Sequence, residues 1–500
     1  MRILAIDQGT TGTTALLLDE RARVRGRGYA ELPQHFPKPG WVEHDGEEIW
    51  TTTLRAIQAA LRGGPGRGSR GGRGGTAIDA IGITNQRETS LLWDRRSGRP
   101  VARAIVWQDR RTSDRCAALR RAGAERSIAN ATGLRLDPYF SATKVEWLLG
   151  HVAGARRRAA AGGLAFGTVD SWLLWKLTGG RTHATDPTNA SRTLLFHLRR
   201  LDWDGSLLDR FGVPPSLLPE VRPSGGDFGV TRGVPGLPDD IPIRGIAGDQ
   251  QAALFGQGCV RRGGMKNTYG TGCFLMLHTG AKPVASRAGL LTTVACGQRG
   301  EVNYALEGSV FIAGAAVQWL RDGLGLLRDA AESERLAGSV PDSGGTYLVP
   351  AFAGLGAPHW KPDARGIWCG LTRGTTRAHL VRAALESIAY QTRDVVEAMR
   401  LESGSRPRTL RVDGGAARND FLMQFQADLL GLTIERPAMV ESTALGAAYL
   451  AGIGAGIWES RDRVPEAAGR VDRFRPRLSA SGRNRLARGW DEAVALLTRP

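Results

Sequence analysis

Cysteine is scarce in this chain of 500 residues: Cys116, Cys259, Cys273, Cys296 and Cys369, odd in number, far apart and without a C-x-x-C pair. That excludes a disulfide framework and reads as reduced thiols in a cytosolic protein. Lysine is scarce too, six of 67 basic residues, although the formal net charge is +18. The arginine excess is spread along the whole chain, so it reads as a bias of composition. A positive field speeds encounter with anions without deciding the chemistry after the encounter. Long apolar runs are missing; the longest, residues 444–458, is fifteen residues and broken by glycine, short of the roughly 18–20 that a bilayer span needs. Residues 3–6 are too short for the apolar region of a signal peptide. A soluble, cytoplasmic chain without a membrane span is expected. Also absent are G-x-G-x-x-G after the first strand, G-x-x-x-x-G-K-[ST], metal-ligand spacing of histidines, and a Ser-His-Asp or Cys-His set. A Rossmann dinucleotide site, a P-loop and a triad hydrolase are therefore unsupported.

What is present is an ordinary globular composition, 42% hydrophobic and 23% charged, over a length that favours two domains. Strand-like segments at 2–6, 15–18 and 24–32 precede a helical pattern over 47–61, an α/β alternation. Asp45 followed by Glu48 has capping-box spacing for that helix. A second long helix is expected from near Ala378 to Met399, ending before Gly404. The low-complexity stretch 62–75, RGGPGRGSRGGRGG, has no large apolar side chain and reads as a solvated loop. A strand followed by a Gly-Thr turn occurs at 3–11 and again at 267–272, with Thr10 and Thr271 lying 261 residues apart. That spacing suggests two related halves.

The first of these turns, Asp7-Gln8-Gly9-Thr10-Thr11-Gly12-Thr13-Thr14, can cradle a phosphate, with glycines admitting the backbone, hydroxyls donating and Asp7 holding a magnesium hydration shell. A plain polar hairpin turn is its simpler reading. The second, Thr268-Tyr269-Gly270-Thr271-Gly272, would grip the same nucleotide from the other side. A third, Val412-Asp413-Gly414-Gly415-Ala416, follows a strand and precedes a helix containing Asn419; it fits backbone against an adenine or only a tight turn. Arg87-Glu88 ends the apolar run 78–83 and offers a cation and an anion to adjacent hydroxyls, or else a surface ion pair. Trp107 and Tyr139 can wall a polyol pocket or fill a core. Asp249, before the helical 250–255, is either an N-cap or a base that accepts a proton from an attacking hydroxyl. Gly446 reads as close helix packing.

Taken together, these segments resemble the glycerol kinases of the sugar-kinase family, whose members carry an actin-like ATPase fold. The likeness runs through 37–44, 82–89, 137–141, 245–256, 267–274, 304–308, 412–416 and 443–452, covering nearly the whole chain. It implies an α/β protein with two actin-like (ribonuclease H-like) ATPase domains and the active site in the cleft between them. The expected division is 1–255, 264–453 and a C-terminal extension 454–500. The implied substrates are glycerol and ATP, with ADP and sn-glycerol 3-phosphate as products and Mg2+ as cofactor. By position, Arg87, Glu88, Tyr139, Asp249 and Gln250 would bind glycerol hydroxyls, Trp107 and Phe274 would pack on its carbons, and Asp249 would be the base. Thr10, Thr11, Gly12, Thr271, Gly314, Gln318, Gly415 and Asn419 would contact the nucleotide, and Asp7 its magnesium through water. A homodimer or homotetramer is implied, with no nucleic-acid partner.

Three departures stand out. The family pattern after Thr11 is Ser-Ser-Arg, whereas Gly12-Thr13-Thr14 stands here and a phosphate-neutralising arginine is missing. The basic loop that some bacterial members use for feedback by fructose 1,6-bisphosphate is replaced by 234–241, with Asp239 and Asp240. The 62–75 loop is an addition. Alternatives are a related kinase for another polyol or ketose, an actin-like ATPase without a small-molecule acceptor, and a nucleic-acid binder using the 62–75 loop.

Overall fold

The computed structural model describes residues 1–63, 78–361, 363–439, 441–465 and 470–498. The low-complexity stretch, beyond Arg62 and Gly63, lies outside them.

The first sheet contains β1 (Arg2–Gln8), β2 (Gly12–Asp19), β3 (Val24–Glu31), β4 (Ala80–Asn85) and β5 (Ile243–Gly248), in the order β5-β4-β1-β2-β3. β1, β4 and β5 are parallel, and β2 and β3 alternate against them. Its inner strands read as continuous apolar runs because both faces are covered. Leu4, Ile6, Leu17, Ile81, Ile83 and Ile246 pack with Ile49 and Ile57 of helix α1 (Gly46–Arg62). The alternate residues Ile3, Ala5, Leu16, Leu18, Ala80 and Ala247 face the other way. Asp45 caps α1 by accepting from the Glu47 amide at 2.8 Å. The capping box is only half made: the Glu48 side chain goes instead to Nε2 of His35, at 2.8 Å.

The second sheet is built from β6 (Met265–Tyr269), β7 (Cys273–Gly280), β8 (Leu291–Ala295), β9 (Asn303–Val310), β10 (Thr409–Asp413), β11 (Thr433–Pro437) and β12 (Val471–Phe474). Its order is β8-β9-β7-β6-β10-β11-β12. Within it, β11-β10-β6-β7-β9 repeats the order and directions of β5-β4-β1-β2-β3. The two Gly-Thr turns thus occupy equivalent hairpins of a duplicated unit, the α/β architecture of two actin-like halves. The 377–403 helix is longer than the periodicity predicts and stops where Gly404 adopts φ 63°, with its N–H on the Arg400 carbonyl.

The two halves interlock. The helix 442–454, late in the sequence, lies on the first sheet, where Ala444, Leu445, Ala448 and Tyr449 complete the face formed by Ile3 and Leu16. Close approach is possible because Gly446 meets the Asp249–Gly256 helix backbone, the close packing expected of that glycine: a Cβ there would stand 1.9 Å from the Ala252 carbonyl oxygen. The segment after residue 454 supplies β12 to the second sheet, and Trp490 of the final helix stacks on Tyr390 at 5.1 Å. Among the described residues no helix is long and apolar enough to cross a membrane. All five cysteines are free, four of them buried.

Candidate active site

Because β1, β4 and β5 are parallel and in register, with Thr84 between Asp7 and Ala247, the segments leaving their C-terminal ends emerge at one edge. This is where open α/β sheets build sites. The edge receives the first Gly-Thr turn, Arg87-Glu88 and Asp249.

Arg87 and Glu88 are 3% and 1% exposed, so they are not a surface pair. Nor do they chiefly pair with each other, at 3.8 Å. Arg87 gives Nη1 and Nη2 to the Glu307 carboxylate of β9 at 2.6 and 2.9 Å, Nη1 also to Gln251 at 3.1 Å, and Nε lies 3.1 Å from Asp249. Glu88 accepts Nε of Arg192 at 2.6 Å, and Arg192 also reaches Glu307 at 3.1 Å. Burial opposes the charge on Glu307, but Arg192 and Arg87 win and hold its carboxyl at about 2. For Glu88 burial outweighs the same two arginines, and its carboxyl is pushed up. Asp249 is the first residue of its helix, and Gly248 is the N-cap. Its Oδ1 accepts from the Gln250 amide at 2.6 Å, and about a third of the side chain remains accessible. The Gln250 side chain accepts from Lys266, which also donates to Thr268 at 2.9 Å.

The three aromatic residues expected at the acceptor come together. Trp107 meets Tyr139 edge-on at 5.5 Å and Phe274, from the second sheet, at 6.4 Å. Trp107 Nε1 donates to Thr10 Oγ1 at 2.9 Å, tying this wall to the first turn.

In that turn the Gly9 amide donates to Gly12 O at 2.9 Å, leaving Thr11 exposed. Gly12 itself is buried in β2, where a Cβ would meet the Tyr29 hydroxyl at 2.5 Å, so its missing side chain serves packing. In the second turn Gly270 donates to Gly272 O at 2.8 Å and Thr271 is exposed. The Gly314 amide, opening the short helix Gly314–Gln318, donates to Gly270 O at 3.0 Å, and Gln318 ends that helix exposed. In the third turn, Gly414 has φ 89° and a Cβ on it would press against the Tyr269 carbonyl, whereas a Cβ on Gly415 would meet open space. Asn419 does not sit inside the next helix but caps it, accepting from Leu422 N at 2.9 Å and donating to Ser333 at 3.2 Å.

Asp7 lies at the end of β1. Burial, then the nearby charges of Asp249 and Glu441, push its carboxyl up to about 7. Such crowding of negative charge suits a cation. Among the described residues no three His, Cys, Asp or Glu side chains are grouped to cage a metal. A single carboxylate at a strand end, such as Asp7, would hold a hydrated ion through its water shell. In the 234–241 loop, Asp239 and Asp240 pair with Arg232 at 3.3 and 2.7 Å.

Sequence reasoning gave no role to Glu307 and Gln251, although they lie within the 304–308 and 245–256 stretches of the likeness, nor to Arg192 and Lys266, which lie outside its stretches. It also missed Asp186, whose Asp-Pro start is a readable N-cap with proline at the first helical position. Asp186 binds the Thr188 hydroxyl at 2.9 and 2.8 Å, and that hydroxyl accepts the Gly248 amide at 2.8 Å, just before Asp249.

Residues 2–256 match the FGGY family of carbohydrate kinases, N-terminal domain, and residues 265–455 match its C-terminal domain. A glycerol kinase of Klebsiella pneumoniae strain 342 is 55% identical over 494 residues, covering 98% of this chain and 96% of that protein. One from Petrotoga mobilis is 54% identical over 493 residues, covering 98% and 97%. Among solved structures, Plasmodium falciparum glycerol kinase with ADP superposes with a TM-score of 0.93 at 35% identity, covering 100% of this chain and 98% of that one. A ligand-bound xylulose kinase from Lactobacillus acidophilus, at 21% identity, shares the fold with a TM-score of 0.87 over 100% of this chain and 98% of its own. With both family domains matched in order across a duplicated α/β fold, the chain belongs to the FGGY family of carbohydrate kinases.

Proposed function

We propose that this protein transfers the γ-phosphoryl group of ATP to a terminal hydroxyl of glycerol, giving sn-glycerol 3-phosphate and ADP. The observation that carries the reading is the meeting of Arg87, Glu88 and Asp249 beside the Trp107–Tyr139–Phe274 wall. A small polyol needs both: donors and acceptors for adjacent hydroxyls, and apolar surface for its carbons. The 55% identity to a glycerol kinase over nearly the whole chain supports that acceptor over another polyol or a ketose.

In this reading Arg87, Glu88, Tyr139 and Gln250 hold the hydroxyls while Asp249 accepts the proton of the attacking one. The new O–P bond forms as the bond from the γ-phosphorus to the β,γ-bridging oxygen breaks, and ADP leaves with that electron pair. Arg87, 3.1 Å from Asp249, orients its carboxylate. Little covalent work falls to the protein in a loose phosphoryl-transfer transition state, so positioning and charge complementarity dominate. Thr10, Thr11, Thr271 and Gly415 approach the nucleotide from two sides, with Gly12, Gly314, Gln318 and Asn419 shaping those turns. A magnesium ion near Asp7, when bound, neutralises phosphate charge. The resemblance also supports a cytoplasmic homodimer or homotetramer.

The test is a coupled ADP-release assay with ATP and magnesium, first without acceptor and then with glycerol, dihydroxyacetone, erythritol and D-xylulose. Turnover dependent on glycerol and largest with it is expected. A larger rate with another acceptor would reassign the substrate, and acceptor-independent turnover would make this an ATPase.

A further inference from the structure

Lys144 is fully buried, on the helix Ser141–His151 that follows Tyr139. Among the described residues its ammonium has no carboxylate within ion-pair distance. It donates instead to two main-chain carbonyls, Tyr139 O at 2.6 Å and Glu88 O at 3.4 Å. Burying an amine without a counter-ion is costly, and a methionine or leucine would fill the same space without that cost. The position therefore asks what the amine does.

Its two acceptors belong to the two residues, 51 positions apart in sequence, that the glycerol reading sets around the substrate. Glu88 is also one of six described non-glycine residues with positive φ, at 62°. A non-glycine residue held there is strained and persists only where its surroundings over-determine it. The surroundings here are three donors on one carbonyl: Ser90 Oγ at 3.1 Å, Ser141 Oγ at 3.0 Å and Lys144 Nζ. Of these only Lys144 also reaches Tyr139.

We propose that Lys144 is a positioning residue for the acceptor site, clamping the strained Glu88 turn to Tyr139 so that the glutamate and the aromatic wall keep their spacing. Burial pushes its amine down to about 7, against the pull of Glu88, Asp109, Asp137 and Cys116. An amine donates to two carbonyls in either protonation state, so the clamp does not depend on that charge. The inference rests on the glycerol reading of the site.

The experiment compares the full chain with Lys144→Met and Ser141→Ala, varying glycerol and ATP separately and recording thermal unfolding. Loss of the clamp should raise the glycerol KM about tenfold in Lys144→Met, the effect of about one hydrogen bond's worth of positioning, with the ATP KM and kcat within about threefold. Ser141→Ala, a smaller change at the same carbonyl, should raise the glycerol KM by roughly two- to fivefold. An unchanged glycerol KM in folded Lys144→Met, or equal rises in both KM values with a lowered Tm, overturns the proposal. Should Lys144→Met not fold, Ser141→Ala decides in the same way. Absence of glycerol turnover in the unmodified protein would sink the substrate reading itself, and the clamp with it. Normal turnover with unaltered KM in both variants would sink the clamp alone.

Discussion

The carboxylate of Glu307 receives both terminal nitrogens of Arg87, at 2.6 and 2.9 Å, although 220 residues separate them. One residue is on the second sheet and the other follows a strand of the first, so one half of the molecule orients a polar group of the other. Glu307→Gln keeps the shape and removes the charge. Breaking a buried pair costs about 3–5 kcal/mol, so a fall in denaturant stability approaching that size is expected, with a raised glycerol KM. Because the carboxyl is depressed from 4.5 to about 2, its stabilisation is complete above the ordinary value and lost as pH falls toward about 2. The stability gap between variant and parent should therefore narrow over that acid window. A gap that widened on acidification would contradict the assignment.

Asp249 stands 3.1 Å from Arg87 Nε and keeps an accessible side chain. Asp249→Asn should lower kcat by about 10²–10⁴, the usual contribution of a positioned base, while ATP affinity by equilibrium titration changes less than about threefold. A near-normal rate would exclude Asp249 as the base.

Trp107 touches both functions, its ring against Phe274 and its Nε1 on Thr10. Trp107→Phe keeps a ring but loses the hydrogen bond, so both KM values should rise, each by roughly three- to tenfold. Phe274→Leu, which leaves Thr10 untouched, should move the glycerol KM alone. Identical effects of the two variants would show that the Trp107–Thr10 contact does not link the substrates.

Thr14 lies directly opposite Asp7 across the β1–β2 ladder. Residues so paired share a face, and this is where the family pattern has its arginine. Thr14→Arg restores a cation there and should lower the ATP KM by about two- to fivefold, read by initial rates at saturating glycerol. A raised ATP KM would mean that the guanidinium is captured by Asp7 instead.

Gly446→Ala would force a methyl group against the Ala252 carbonyl, 1.9 Å away. Overpacking of this kind costs about 1–3 kcal/mol or more, so a lowered unfolding midpoint is expected, with the glycerol KM little changed. A midpoint equal to the parent's would show that the helix crossing yields.

The elements legible in the sequence are those whose causes are local. Two Gly-Thr hairpins, the Asp45 cap and the Gly404 stop rest on residues within a few positions of one another, so local chemistry is enough to read them. The repeated turns even point to the duplication that the sheet orders display. The capping-box spacing at Glu48 misleads because His35, thirteen residues away, competes for its carboxylate. Asn419 reads as part of a helix that it caps, since helix periodicity does not mark its own first residue.

The chain by itself determined which residues are available at the strand ends: Asp7, Arg87, Glu88 and Asp249 each follow an apolar run that must become a buried strand. What only tertiary structure decided is whom they meet. Arg87 is bound by a glutamate of the other sheet, Glu88 by Arg192 and Lys144, and the helix 442–454 covers the first sheet although it comes late in the chain. The physical reason is range. Propensity, capping and turn geometry act over a few residues, whereas a buried charge is stabilised by whichever counter-charge folding brings to it, at any distance along the sequence.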